Sequence, residues 1–447
     1  PGGDRRYGAS TPASYYRMTT RTTLRFTDVV AIVVSLVIGM GIFRAPATVA
    51  ARAGSVELFY AAWLVGSVVA MCGAIVFANI GRRLPVTGAY FRIFAKAYHP
   101  SIAFAINAVI LVSNAASAAG VAIIGADYFA PLLPHVEPTI VAAAMVAVLY
   151  ALNLAGLRAS ATAQNTMIAI KVAMLVAIVA AVLFVPSADS QHGIASVVAN
   201  VATSPWAAFG MALLAVSFTY GGYQSTINFG GEVANVRRLP LAIILGVVIV
   251  TMVYMGVNAA YLHILGFDTL AASQNIAALV VERAYGPTGS SVLTAVLVVS
   301  VLGYVNVSML ANPRVITAMS QDGMAPASLA KGDAAGGLRQ WSLLGFSVVC
   351  VLSVFIGRTF EVILNYTMFV DAIGLALGAA TFYRLAGPRR SVAAHGAAVI
   401  FIASCLYTAA NIFLFDTTAG IAGTCLVLVL WLVGLFIAKP TSTATAR

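Results

Sequence analysis

Two ionisable side chains stand where a hydrocarbon solvent would surround them. Lys171 falls inside the apolar run 166–186, and Asp371 about midway along the run 361–385. A charge at that depth is expensive unless paired, hydrated or neutralised, so such residues mark ion, proton or substrate paths. Lys171 lies ~12 Å along a helix axis from the start of its helical stretch. It reads either as a coupling group buried in the bundle or as a lysine whose stem snorkels to the interface. Asp371 reads either as a proton carrier or cation-binding group, or as an internally bonded acid.

The remaining chemistry belongs to the backbone. Val37-Ile38-Gly39-Met40-Gly41-Ile42-Phe43 and Phe218-Thr219-Tyr220-Gly221-Gly222-Tyr223-Gln224 each set two glycines near the middle of a stretch long enough to cross a bilayer. Glycine is a poor helix residue, and unwound backbone at membrane depth must line a cavity or be covered by protein. Amides around Gly39, Met40 and Gly41, at the positive end of the following half-helix, suit a carboxylate. Carbonyls ending the two leading half-helices suit an ammonium. A free amino acid carries both groups at fixed spacing. The plain alternative is that small residues here only let helices pack closely.

The candidate substrate-contacting residues are therefore Ile38, Gly39, Met40, Gly41 and Ile42 from the first break, and Phe218, Tyr220, Gly221, Gly222 and Gln224 from the second. Tyr223 joins Phe218 and Tyr220 as an aromatic that shapes or gates the pocket. Asn114 and Tyr304 lie at suitable depth in two other runs to line the site, as do Ser117 and Asn306; taken alone, such a residue is more often an interhelical hydrogen bond. Lys171 and Asp371 are the candidate coupling residues. Arg44, just past the first break, reaches either Asp371, a substrate carboxylate or the outer vestibule, and Asp127 reads as a wet residue near the outer end of its run. Glu232 with Arg237 and Arg238 reads as part of an inner gate or loop.

The elements that must position these groups are apolar throughout. Of 447 residues, 61% are hydrophobic and 9% charged, against about 25% charged in soluble domains. Twelve apolar spans are predicted: 27–50, 57–81, 101–131, 138–156, 166–186, 205–232, 240–266, 288–318, 340–357, 361–385, 392–414 and 416–438. Most exceed the ~20 residues needed to cross the hydrocarbon core. Spans one and six carry the glycine breaks, and spans three and eight are both long. Five spans followed by five more invert the second half relative to the first, the plan of many secondary transporters. The expected organisation is a disordered cytoplasmic tail over 1–26, a first repeat over 27–186, an inverted second repeat over 205–385, two added helices over 392–438, and a cytoplasmic tail over 439–447.

The net charge of +11 is a topology signal rather than a nucleic-acid one. Lysines and arginines crowd the termini and alternate loops, while the other loops hold only Arg52, Arg283 and Arg358. That bias puts both termini in the cytoplasm of a multi-pass protein of the plasma or inner membrane. Cys72, Cys350, Cys405 and Cys425 fall in apolar runs and read as packing residues. His99, His135, His192, His263 and His395 form no ligand or acid–base set with the acids, so neither an enzyme nor a metal or cofactor is implied.

Several segments resemble a known family. IGMGIFRAP with Gly54, FANIGRRLPVTGAYFRIF (77–94), NLAGLRASATAQNTMIAIK (153–171), GGEVANVRRLPLAI (230–243) and ANPRVITAMSQDGMAP (311–326) occur in the order of the amino acid–polyamine–organocation superfamily. The resemblance spans about residues 24 to 390 and looks closest to its L-type, neutral amino acid branch. It implies an all-α, leucine-transporter-like fold of twelve transmembrane helices with a 5+5 inverted repeat and broken helices one and six. It also implies secondary transport of amino acids or related amines. In that family a helix-five lysine, matched here by Lys171, occupies the place of a sodium site and is assigned to proton coupling or to holding helices one and eight together.

Departures from the pattern matter as much. Met40 replaces a small residue between the first glycines, Asn79 replaces an acid before Gly81, and Asn235-Val236 replaces Asn-Pro. Gln224 stands where members that exchange basic amino acids or polyamines carry glutamate, and a neutral amide there cannot offset a second positive charge. The sequence therefore points to transport of neutral L-amino acids by alternating access, with proton coupling or exchange. The alternatives are a cationic amino acid or polyamine antiporter and an amino-acid-binding sensor. Expected partners are the amino acid, protons and the lipid bilayer, with no nucleic acid; oligomeric state and accessory subunits stay open.

Overall fold

The first apolar run cannot remain one helix. In the computed structural model, α1 (Phe26–Val37) starts where the Asp28 carboxylate accepts the Arg25 amide at 2.8 Å, and it leaves helical geometry at Ile38, whose ψ is 84°. The next helix, α2 (Gly41–Ala53), leaves at 47° to the first and stops at Gly54, whose φ is 70°. The Ser55 hydroxyl then accepts the Leu58 amide at 3.2 Å and caps α3 (Val56–Arg83). The structure describes residues 24–85, 89–129, 135–155, 157–187, 205–228, 230, 233–273, 275–331, 340–357, 360–385 and 391–437.

The chain continues through α4 (Ala89–Ala97), α5 (Pro100–Phe129), α6 (Pro138–Ala155) and α7 (Leu157–Ala180). The second break follows α8 (Pro205–Tyr220), after which residues Tyr223–Asn228 form a 3₁₀ turn. Then come α9 (Leu239–Leu265), α10 (Phe267–Ala272), α11 (Ile276–Gln321, interrupted at Gly286 with φ 73°), α12 (Gln340–Gly357), α13 (Phe360–Arg384), α14 (Val392–Phe415) and α15 (Thr417–Ile437). The fold is all-α; among the described residues the extended pairing is an isolated bridge between Leu24 and Val233.

Eight described helices are long and apolar enough to cross a membrane, or nine if α1 and α2 count as one bent span. Shorter apolar stretches lie at Pro138–Leu154 and Ala169–Leu183, and α8 has 16 residues because it ends at the glycine pair. The protein is a multi-pass membrane protein. The expected tails lie outside the described residues except for 24–26, and Glu232 lies outside them as well.

The two breaks sit at the centre. Helix α2 packs on α8, α1 on α9, and α3 on both α8 and α9, while α5 touches α6, α11, α12, α13 and α15. Small residues allow the closest of these approaches, which in lipid must come from packing rather than water exclusion. A Cβ on Gly41 would stand 3.0 Å from the Thr219 side chain and 3.1 Å from its Cα. Polar keys lock other pairs: Asn153 on α6, fully buried, donates to the Leu149 carbonyl at 2.8 Å and to Asn306 Oδ1 on α11 at 2.9 Å. All four cysteines are free thiols; Cys72, Cys350 and Cys405 are buried and Cys425 is exposed on α15.

Candidate functional site

The first break exposes the opening turn of α2. Met40, Gly41 and Ile42 start that helix, so their amides lack intrahelical acceptors by position. The Gly39 amide does not join them: it turns back onto the Val37 carbonyl at 2.7 Å. At the second break the Gly221 amide donates to Phe218 O at 3.2 Å and the Gly222 amide to Gln224 Oε1 at 2.9 Å. Gly222 has φ 117°, open to glycine at low cost. Its missing side chain also matters, because a Cβ there would fall on the Leu36 carbonyl.

Where the breaks meet lies a cavity of about 140 Å³. A water needs on the order of 10–15 Å³ by this measure, so the space holds on the order of ten water positions, the scale of a small amino acid. Gly39, Met40, Gly41, Phe218, Gly221, Gly222 and Gln224 line it from the breaks. Helix α5 contributes Asn107, Ile110, Leu111, Asn114, Ser117 and Val121, and α11 contributes Tyr304, Val307, Ser308, Ala311, Asn312 and Val315. Both sets follow the three-and-four spacing of one helical face. Met368, Asp371 and Leu375 complete the wall from α13.

Two polar groups fix the wall between α5 and α11. Asn114 Nδ2 donates to Asn312 Oδ1 at 2.7 Å, and Asn312 Nδ2 donates to the Ser308 carbonyl at 2.9 Å. Among the described residues Asp371 is the sole acidic or basic side chain of the lining, close to the Tyr304 and Tyr90 phenols. The buried Ser113 hydroxyl lies near the Asp371 carboxyl without meeting hydrogen-bond geometry. Among the described residues no three His, Cys, Asp or Glu side chains come together to hold a metal ion.

The structure separates the predicted residues into two groups. Gly39, Met40, Gly41, Asn114, Phe218, Gly221, Gly222, Gln224, Tyr304 and Asp371 converge on the cavity, as does Ser117. Ile38, Ile42, Tyr220 and Lys171 do not line it. Ile42 is fully buried beside the break. Tyr220 turns behind the cavity, with its ring centroid 6.1 Å from Trp63 and 5.2 Å from Tyr254. Tyr223 is buried against Phe77, and Asn306 pairs with Asn153. Arg44 lies in electrostatic reach of Asp127 and Tyr128.

Lys171 is buried, and its Nζ donates to the Ile38 carbonyl at 2.8 Å. The ammonium thus reaches an unwound carbonyl of the first break from α7 rather than snorkelling along its own helix. Residues that sequence reasoning missed are Asn107, Asn312, Ser308, Asn228 and Tyr90. The heptad step from Asn107 to Asn114 was a readable signal of a shared face. The Tyr90 and Asn228 contribution was not, since it depends on α4 folding back so that the Tyr90 amide meets Asn228 Oδ1 at 2.8 Å.

A family model described as amino acid permease matches residues 24–441. The chain is similar to the serine/threonine exchanger SteT of Bacillus subtilis, 27% identical over 300 residues that cover 65% of this chain and 66% of that protein. It is 24% identical to the mouse b(0,+)-type amino acid transporter 1 over 302 residues, 66% of this chain and 62% of that one. An uncharacterized transporter of Mycobacterium tuberculosis is 31% identical over 315 residues, 69% of this chain and 68% of its own length. The chain thus spans just under two thirds of the Bacillus and mouse proteins.

Proposed function

Because the chain belongs to the amino acid permease family, we propose that it is a secondary transporter of neutral L-amino acids, working by alternating access with proton coupling or exchange. The observation that carries this reading is the cavity at the crossing of two unwound glycine segments, lined, among the described residues, by a single carboxylate and by no lysine or arginine. The α2 amides of Met40 and Gly41 take the substrate carboxylate. Carbonyls of the leading half-helices take its ammonium. The α5 and α11 faces read the side chain, and the amides and hydroxyls of Asn114, Ser117, Ser308 and Asn312 favour a small or hydroxylated one. Similarity to a serine/threonine exchanger and to a rat large neutral amino acids transporter small subunit supports neutral substrates.

Charge counting links specificity to coupling. A zwitterion entering with a proton on Asp371 leaves the site with the same charge as a cation entering beside an ionised Asp371. A neutral substrate therefore moves with a proton, and a cationic one without. Asp371 in the lining keeps the cationic antiporter as the second reading. Gln224, whose amide oxygen already serves the Gly222 amide, supports the neutral one. Lys171, on the Ile38 carbonyl, is the second coupling candidate, acting on the first break rather than in the cavity. In this reading twelve spans form a 5+5 inverted repeat, residues 27–186 and 205–385, with 392–438 added, in the plasma or inner membrane with both termini cytoplasmic.

The test is uptake of labelled serine, leucine and arginine into proteoliposomes, with and without an inward proton gradient and with the lumen empty or preloaded. Gradient-driven serine or leucine uptake makes the protein a symporter, and uptake only into preloaded vesicles makes it an exchanger. Arginine uptake unaffected by pH, without neutral uptake, selects the second reading. Binding without flux from either side would sink transport altogether.

A further inference from the structure

One buried hydroxyl joins the two breaks. Tyr254 on α9 is fully buried, and its hydroxyl stands 2.9 Å from the Val37 carbonyl at the end of α1 and 3.2 Å from the Thr219 carbonyl near the end of α8. The Val37 carbonyl also accepts the Gly39 amide, at 2.7 Å. Residues 37 and 219 both line the cavity, so the hydroxyl sits behind two carbonyls whose residues face it. The ring is held edge-on between Trp63, at 6.0 Å, and Tyr220, at 5.2 Å. The hydroxyl therefore has little freedom to leave. One O–H proton serves two acceptors that belong to different broken helices, near ends where helical geometry stops supplying donors to the last carbonyls.

Unpinned, these two carbonyls would repel: they are like dipole ends brought together in a medium that screens poorly. We propose that Tyr254 is the positioning residue of the ammonium subsite. It holds the Val37 and Thr219 carbonyls convergent; the Val37 oxygen is filled by the Tyr254 hydroxyl and the Gly39 amide, so the Thr219 carbonyl is the one that keeps a lone pair for the substrate's amino group. It also ties α1, α8 and α9 into one body at the level of the cavity. This inference rests on the amino acid reading above.

Tyr254→Phe removes the hydroxyl and keeps the ring. The expected result is a KM for the transported amino acid raised about tenfold, the scale of one buried hydrogen bond lost. Inhibition by the corresponding 2-hydroxy acid, which offers the carboxylate without an ammonium, should be unchanged. Amide hydrogen exchange should rise together in segments 36–41 and 219–223 and nowhere else. Equal weakening of the amino acid and the hydroxy acid, or faster exchange throughout the protein, would reduce Tyr254 to a packing residue and overturn the proposal. So would an unchanged KM. Wild-type protein run in parallel separates the two layers. If it neither binds nor moves any amino acid, the transport reading itself fails; if it does and the variant matches it, only the role of Tyr254 falls.

Discussion

Replacing Gly222 with alanine tests whether the second break is built against the first or merely lies near it. At φ 117° an L-residue is strained, at a cost of about 1–3 kcal/mol. The new Cβ would also land on the Leu36 carbonyl oxygen, with the carbonyl carbon at 2.8 Å. Both are backbone atoms, so no rotamer change relieves the contact and α1 must move away from α8. Strain and displacement together come to about 2–4 kcal/mol, which converts to roughly 30-fold or more in the population of the assembled site. Gly221→Ala is the matched control. Its Cβ would meet the Phe218 carbonyl at 3.4 Å, an ordinary contact, and its φ is unremarkable. The assay is the melting temperature of each purified variant by fluorescence-detected gel filtration, together with labelled substrate binding. Gly222→Ala should melt earlier and bind more weakly, and Gly221→Ala should keep the wild-type melting temperature. A Gly222→Ala protein with wild-type melting and affinity would show that the two breaks do not depend on each other's backbone.

Three other substitutions probe the side chains. Lys171→Met keeps most of the buried volume but removes the donor to Ile38; uptake should fall below a tenth of wild type while gel filtration shows folded protein. Retained uptake would end the coupling role. Gln224→Glu should shift preference toward arginine over leucine in competition assays, and an identical substrate profile would remove the argument for neutral substrates. Asp371→Asn should abolish the dependence of uptake on the proton gradient while leaving exchange between preloaded vesicles, and gradient-driven uptake by this variant would exclude Asp371 as the proton carrier.

Much of the site could be read from the chain because it is made of backbone. Two glycines in the middle of an apolar span imply a break wherever the rest of the fold goes, and the helix end at Tyr220 and the bend after Val37 follow directly. Side-chain direction was harder. Tyr220 was expected in the pocket, yet it lies on the opposite side of the last turn from Phe218 and Thr219, where Trp63 and Tyr254 receive it. Lys171 carried two readings because depth alone does not choose between the interface and a neighbour's carbonyl. The choice depends on where α1 unwinds relative to α7, a tertiary fact. Asn107 and Asn312 were passed over for a similar reason. A lone amide in an apolar helix is as often a rivet as a ligand, and Asn153, which pairs with Asn306 away from the cavity, is such a rivet.

That last pair has a bearing on assembly. Lipid tails are as apolar as leucine, so two greasy helices inserted side by side have little reason to prefer one vertical offset to another. Sliding α6 against α11 by a single turn, ~5.4 Å, would still match hydrocarbon to hydrocarbon almost everywhere. It would also strip Asn153 and Asn306 of each other and lose a buried interhelical hydrogen bond. The pair therefore works as a detent: it adds little to the depth of the correct minimum but raises the neighbouring ones. The helix faces that build the cavity meet at the right height because a mismatched one is punished on the same turn of α11, at Asn306 beside the lining residues Tyr304 and Val307.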